Sequence, residues 1–203
     1  MSSASAPQDA VVIDEEELAP TIERGYKPGK ETTVEAIVSA DSNDESLKRW
    51  KESLGITAGT QAFDGPKVEI HSIYLESPTL PEGEKIVIEL ASLPKDGSTK
   101  TIKIKEGVEY SVGIKFKVNN LVMGLRYIQV IKRAGIPMVA DKIEEVIGSF
   151  GPNPEFNTNR FHSEVSPKGM LARGTYNVKT RVIDDDRVVY ADFEWKFTLG
   201  KDW

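Results

Sequence analysis

The chain contains no cysteine, which removes disulfide staples, thiolate-built zinc sites, iron–sulfur clusters and cysteine nucleophiles together. Its two histidines, His71 and His162, are far apart in sequence. A histidine metal cluster is therefore excluded, and a Ser-His-Asp arrangement would have to use one of these two. No apolar run reaches the roughly 18 residues that a bilayer-spanning helix needs. The first twenty residues, MSSASAPQDAVVIDEEELAP, lack a basic region followed by an apolar one, and no Asn-x-Ser/Thr acceptor occurs anywhere; a cytoplasmic location is the expectation. P-loop, GxGxxG, GxSxG and HExxH sequences are missing as well. Of the 32 acidic residues, no pattern nominates an acid–base pair. The chemistry left is that of a binding protein, not an enzyme, with no cofactor.

What the 203 residues do contain is 39% hydrophobic and 29% charged side chains, the balance of a globular domain with a polar extension. Charge is unevenly placed. Residues 1–65 carry 13 Asp/Glu against 6 Lys/Arg, whereas residues 66–203 are close to neutral, so the overall charge of −6 arises in the first third. The densest run is Asp14, Glu15, Glu16 and Glu17. Such a run is either a solvated unfolded tail or a device that steers a basic partner, and it makes nucleic acid an unlikely ligand.

Two short helices are expected in this arm, at about 32–40 and 43–54. Thr32 with Glu35 and Ser42 with Glu45 have the spacing of capping boxes. In the second helix Leu47, Trp50, Lys51 and Leu54 share a face, Glu45 with Arg49 and Lys48 with Glu52 are spaced as ion pairs, and Gly55 is a natural stop. Helices this short are not stable alone in water. They must dock on the body of this chain or on another protein.

From about Pro66 the hydrophobic period changes to two. In VEIHSIYL, Val68, Ile70, Ser72 and Tyr74 alternate with Ile73 and Leu75; IVIELASL and TIKIK follow, then YSVGIKFKV, LRYIQVIKR and a segment from Ile136 to Gly148. TYNVKTRVI and VVYADFEWKFTL close the chain, joined through Asp184, Asp185, Asp186 and Arg187. Eight or nine short strands without intervening helices predict an immunoglobulin-like antiparallel β-sandwich over 66–203, preceded by a flexible acidic arm over 1–65. The polar, proline-rich stretch 151–167 reads as a long surface loop. The acidic triplet reads as a turn, because oxygen-ligand loops need alternating donors and a glycine. Phe193, Trp195 and Phe197 project from one face of the last strand, with Tyr110, Phe116, Tyr127 and Tyr176 as candidates for the opposing layer. These aromatics either fill the core or line a slot between sheets that part at one end; periodicity does not separate the two.

Seven stretches, in order, resemble the Rho GDP-dissociation inhibitor family: GYKP at 25–28, DESLKRWK at 44–51, KEGVEY at 105–110, YIQ at 127–129, GSFGP at 148–152, PKGMLARG at 167–174 and KDW at 201–203. The resemblance implies a protein that binds prenylated Rho-family GTPases, preferably with GDP, as a 1:1 heterodimer. It inhibits GDP dissociation and extracts the GTPase from membranes by sheltering the geranylgeranyl group. Such a protein touches the membrane only transiently, through its cargo.

By motif match, Tyr26 and Asp44 reach the switch segments of the GTPase, Leu47 and Trp50 give the helix an apolar footing, and Asp186 is a contact from the sandwich. Glu15, Glu16 and Glu17 attract the basic stretch before the prenylated cysteine. The prenyl site maps onto Ile73, Leu75, Ile102 and Tyr110, together with Leu171, Val178, Phe193 and Trp195. Phe193 and Trp50 stand where relatives often carry Trp and Tyr. The competing reading is a general carrier of prenylated or acylated proteins without nucleotide-exchange control, in which the arm is dispensable; a plain interaction module with a filled core is the third.

Overall fold

The computed structural model describes residues 13–21, 33–39, 44–57, 59–94, 98–136 and 138–203. Two helices, α1 (Val34–Ser39) and α2 (Glu45–Ser53), precede ten strands among the described residues. These are β1 (Val68–Glu76), β2 (Ile86–Glu89), β3 (Lys100–Lys105), β4 (Glu109–Val118), β5 (Val122–Arg133), β6 (Val139–Phe150), β7 (Asn153–Arg160), β8 (Glu164–Val165), β9 (Gly174–Ile183) and β10 (Val189–Gly200). One sheet has the order β2-β1-β4-β7, with β8 also on β4; the other runs β3-β10-β9-β5-β6. Pairing is antiparallel except between β10 and β3. The expected sandwich is present. No helix of the described residues is long and apolar enough to cross a membrane.

The apparent conflict in β1, where even-numbered and then odd-numbered residues are apolar, is resolved by a bulge. Register slips between Ile70 and Ser72, so that the strand turns over at His71. Val68, Ile73 and Leu75 thereby enter one core with Ile114, Phe116 and Val118 of β4, while Ile70 packs at its margin. Facing them are Leu125 and Tyr127 of β5, Val178 and Val182 of β9, and Trp195 and Leu199 of β10.

Two expectations are corrected. The stretch 151–167 is not all loop: β7 and β8 pair with β4. An edge strand has a neighbour on one side only, so it needs little apolar surface, and Pro154 near its start removes a donor where it is tolerated. Tyr127 and Tyr176 do not oppose Trp195; β5 and β9 belong to its own sheet, and the Tyr176 ring stacks on Phe197 at 4.8 Å. Phe116 and Tyr110, on β4, do come from the opposite sheet.

The helix signals hold at their C-terminal side. Gly55 adopts φ +73°, and the N–H of Ile56 donates to the Lys51 carbonyl at 2.9 Å, closing the helix as expected. Thr32 and Ser42 lie outside the described residues. The observed caps are their neighbours: Thr33 Oγ1 accepts from Ala36 N, and Asp44 Oδ1 accepts from the N–H groups of Ser46 and Leu47 at 2.8 and 3.2 Å.

Val34 and Ile37 of α1 pack with Leu54, Ile56 and Leu121 into a small separate core at the β4–β5 corner. Burial of two such side chains is worth about 1.5–3 kcal/mol each, enough to hold a helix that would not form alone. The seam is tight at Gly151, whose N–H donates to the Leu54 carbonyl at 2.8 Å. A Cβ there would stand 2.7 Å from both that oxygen and Ile56 Cγ1. Gly151→Ala should therefore detach the helix pair: amide exchange in α1 should accelerate at least tenfold, while the sandwich core keeps its protection.

Candidate functional site

A small apolar cavity of about 10 Å³ lies between the sheets, walled by Ile73 and Leu75 of β1, Ile86 and Ile88 of β2, Ile102 of β3, Val112 of β4 and Trp195 of β10, with Tyr74 at its margin. A space of this size holds about one water. Two of its walls, β2 and β3, are each an edge strand of their own sheet, and Lys100 of β3 donates to the Val87 carbonyl of β2 at 3.2 Å. Alternation delivers the lining: Ile86 and Ile88 share a face of β2, and Ile73 is paired with Ile88 across the β1–β2 ladder. The one polar atom of the large side chain is satisfied, since Trp195 Nε1 donates to Thr180 Oγ1 at 3.1 Å. With no other polar demand, the walls suit a hydrocarbon and nothing that hydrogen-bonds.

Of the eight residues mapped to a prenyl site, four line this cavity: Ile73, Leu75, Ile102 and Trp195. Val178 is the cross-strand partner of Trp195 and is buried in the same core without reaching the cavity. Tyr110 and Phe193 are partly buried against that core. The Tyr110 hydroxyl donates to Glu164 at 3.1 Å; burial, reinforced by the Glu164 charge, raises its pKa. Leu171 is elsewhere, 89% exposed in the turn before β9. Sequence reasoning missed Tyr74, Ile86, Ile88 and Val112, although the IVIE alternation was legible. What it did not reveal was that β2 lies beside β3.

The turn carrying Leu171 is pinned through its backbone, which leaves the side chain outside. Arg133 donates to the carbonyls of Leu171 and Arg173, the latter at 2.8 Å, and Tyr176 donates to that of Ala172 at 2.6 Å. Arg173 makes a two-pronged bond to Glu106 at 2.8 and 2.6 Å, and Glu106 also accepts from Gly169 N at 3.1 Å. The guanidinium holds the Glu106 carboxyl at about 2.

At the opposite end of the strands, about 20 Å from the cavity, lie the residues assigned to a protein partner. Helix α2 has no buried residue: Leu54 just past its end is buried in the small core, but Leu47 is half-buried and Trp50 exposed, which leaves that part of its apolar face open. Asp44 is its cap. Asp186 is exposed in the β9–β10 turn, where Lys67 lies 3.8 Å from both Asp184 and Asp186. Asp184 is buried and organises that turn, accepting from Val188 N and the Tyr190 hydroxyl at 2.9 and 2.6 Å. This turn adjoins the helix cluster, because Asp185 N donates to the carbonyl of Met123, which packs on that cluster. Gly124 leaves the room: a Cβ there would strike the Asp185 carboxylate at 2.1 Å. Tyr26 lies outside the described residues.

The acidic run is docked on the sandwich. Ile13 and Leu18 are buried with Ile128, Val130 and Ile183 on the outer face of β5 and β9. Glu15 Oε2 lies 2.7 Å from Arg181 and its other oxygen 3.4 Å from Lys179; Glu17 lies 2.7 Å from the buried Lys132. Lys142 donates to the Ala19 carbonyl at 3.0 Å, and Thr21 binds Glu144 through its N–H at 3.0 Å and its hydroxyl at 2.8 Å. Hydrogen bonds from Arg181 and Lys132 hold the carboxyls of Glu15 and Glu17 below the ordinary carboxylate value. Glu16 is exposed.

The Glu106 geometry sets a pH window. A carboxyl whose folded pKa is depressed contributes stability above its unfolded value, about 4.5, and loses it as pH falls toward about 2. The Gly169 amide resonance should accordingly titrate with a midpoint near 2; a midpoint near 4.5 would mean that the clamp is absent in solution.

The model of the family described as RHO protein GDP dissociation inhibitor matches residues 12–202. Rho GDP-dissociation inhibitor 1 of Bos taurus is 37% identical over 180 residues, which cover 88% of this chain and 86% of the relative. The Rho GDP-dissociation inhibitor of Saccharomyces cerevisiae is 38% identical over 192 residues, covering 87% and 90%, and that of Schizosaccharomyces pombe 35% identical, covering 86% and 85%. Among solved structures, an immunoglobulin-like protein from Pseudomonas aeruginosa is similar at a TM-score of 0.35 and 16% identity, covering 70% of this chain and 99% of that one. By the extent of the family match and the identity of these relatives, the chain belongs to the Rho GDP-dissociation inhibitor family.

Proposed function

We propose that this protein regulates Rho-family GTPases by binding them in their prenylated, GDP-loaded form, slowing GDP release and drawing them off membranes as a 1:1 complex. The family match over residues 12–202 carries this reading. The apolar cavity beside Trp195 supports a prenyl site, and the uncovered Leu47–Trp50 face of α2 supports a protein contact.

Sheltering a twenty-carbon geranylgeranyl chain is worth on the order of 10 kcal/mol at about 0.8 kcal/mol per CH₂. A cavity of about 10 Å³ does not admit such a chain as it stands. The sheets must part between β2 and β3, so uptake is an induced opening that separates side chains and breaks no ladder between the sheets. Because the bilayer offers the tail equal shelter, extraction is decided by the remaining contacts, which α2 and the β9–β10 turn supply. Asp44, Leu47, Trp50 and Asp186 would meet the GTPase, with Tyr26 contributing from the arm. Glu15, Glu16 and Glu17 would attract the basic segment beside the prenylated cysteine, in competition with anionic headgroups. A general lipid-cargo carrier would need neither the helix face nor the acidic run.

The test is to incubate the protein with vesicles carrying a GDP-loaded, geranylgeranylated Rho-type GTPase. A soluble 1:1 complex is the expected product; a GTPase that stays on the vesicles overturns the reading. Ile102→Phe, which fills the cavity at the cost of about 1–3 kcal/mol of overpacking, should weaken extraction at least severalfold while GDP restraint on an unprenylated GTPase is kept. Asp44→Ala should do the reverse, since loss of the cap costs α2 about 1 kcal/mol. Asp44→Ser should restore restraint if the carboxylate acts as a cap, and should not if it touches the partner.

A further inference from the structure

The acidic run has two claims on it. If Glu15 and Glu17 receive a partner's basic segment, they do so at the expense of Arg181, Lys179 and Lys132, which already hold them at 2.7 to 3.4 Å. The docking is more than an ion-pair pattern on an open surface. Leu18 is fully buried and Ile13 nearly so, both on an apolar patch of β5 and β9, and the strap covers the Lys132 ammonium, leaving that side chain 4% exposed. Three successive backbone turns, from Glu17 N to Asp14 O, Leu18 N to Glu15 O and Ala19 N to Glu16 O, place Ile13 and Leu18 toward the sheet and set Glu15 and Glu17 over the cations flanking it.

We propose that residues 13–21 form a self-masking latch: the acidic surface that takes up a lysine- and arginine-rich segment is occupied in the free protein by this chain's own β5 and β9, and opens only when the strap lifts off. This inference rests on the partner reading given above and deepens it. The cations of the sandwich act as a built-in competitor, so that weakly basic segments fail to displace the strap and strongly basic ones succeed. Glu16, which makes no ion pair among the described residues, gives an arriving segment its first foothold. Apparent affinity for the basic segment is then the intrinsic affinity reduced by the fraction of protein with its strap released.

A charge-only account and the latch part at Leu18→Ser, for which charge alone predicts no change in binding. Leu18→Ser keeps every carboxylate but removes the anchor, and Lys179→Gln loosens the strap from the sheet side. With hexalysine as the probe, titrated calorimetrically into the full chain at low ionic strength, both variants should bind about fivefold or more tightly than the parent, as expected when the strap of the parent is free less than about a fifth of the time. Glu15→Gln with Glu17→Gln should bind more weakly. In the parent, hexalysine should shift the amide resonances of Ile128, Val130 and Ile183. Affinities for Leu18→Ser and Lys179→Gln equal to or below the parent's, in proteins whose circular dichroism shows the folded sandwich, overturn the latch. Hexalysine carries no prenyl group, so failure of vesicle extraction would sink the functional reading and leave this result intact, and the converse holds equally.

Discussion

Among the described residues no backbone ladder joins the two sheets; side chains hold them face to face, and on one side those side chains belong to the edge strands β2 and β3. This is the constraint on which a lipid site depends. Elsewhere the core is closed by large side chains such as Phe116 and Tyr127, fully buried on opposite sheets, where parting would sacrifice packing on both faces. Around Trp195, which is held between β3 and β9, the facing partners Ile88 and Ile102 are edge residues whose strands are each tied to one neighbour only. The edge is where opening costs least.

The same constraint explains why the other parts sit where they do. On the proposed function, a lipid exchanged between bilayer and protein gains little on balance, so a second, independent set of contacts would set the direction of transfer. The helix pair is mounted at the far end of the strands, fixed by its own small core of Val34, Ile37, Leu54, Ile56 and Leu121. It can therefore engage a protein without disturbing the cavity. Distance of this kind favours additive contributions from the two ends, whereas a helix laid across β2 and β3 would have coupled partner contact to cavity opening.

Much of this was legible in the sequence, and the failures have local causes. Period-two alternation located the strands of both sheets, and Gly55 marked the end of α2. Alternation could not report the bulge at His71, because one inserted residue exchanges faces without changing composition. It missed β7 because an edge strand of Asn, Thr, Glu and Arg, with Pro154 and the exposed Phe156 as its apolar residues, has no alternating apolar side to display. It placed Tyr127 and Tyr176 in the wrong layer because facing direction is local while sheet membership is a property of topology. For the site, the four cavity residues named in advance came from a family resemblance; of the four others, Ile86 and Ile88 lie on the edge strand β2, whose place beside β3 no single strand encodes, and Tyr74 and Val112 lie on the inner strands β1 and β4. Leu171 stands apart from the cavity for another reason: the Arg133, Tyr176 and Glu106–Arg173 bonds fix the backbone of its turn and leave its side chain outside.

The acidic run shows how net charge by segment misleads when the segment folds back. Residues 1–65 carry the whole negative excess of the chain, yet two of its carboxylates are matched at contact distance by Arg181 and Lys132. Beyond about 8–10 Å, the screening length near physiological salt, such pairs project almost no field. The long-range attraction of the free protein is therefore weaker than its composition implies, and Glu16 and the other acidic groups of the arm must begin any encounter. Once a basic segment arrives, the pairs at Lys132, Lys179 and Arg181 exchange for new ones of the same kind, so the gain from charge pairing is small. What the exchange changes is geometry: the apolar anchors Ile13 and Leu18 leave the sheet, and the arm is released for other contacts. On the proposed function, electrostatics thus selects the partner, while the favourable free energy of the complex would come from apolar surface, at the helix face and in the cavity.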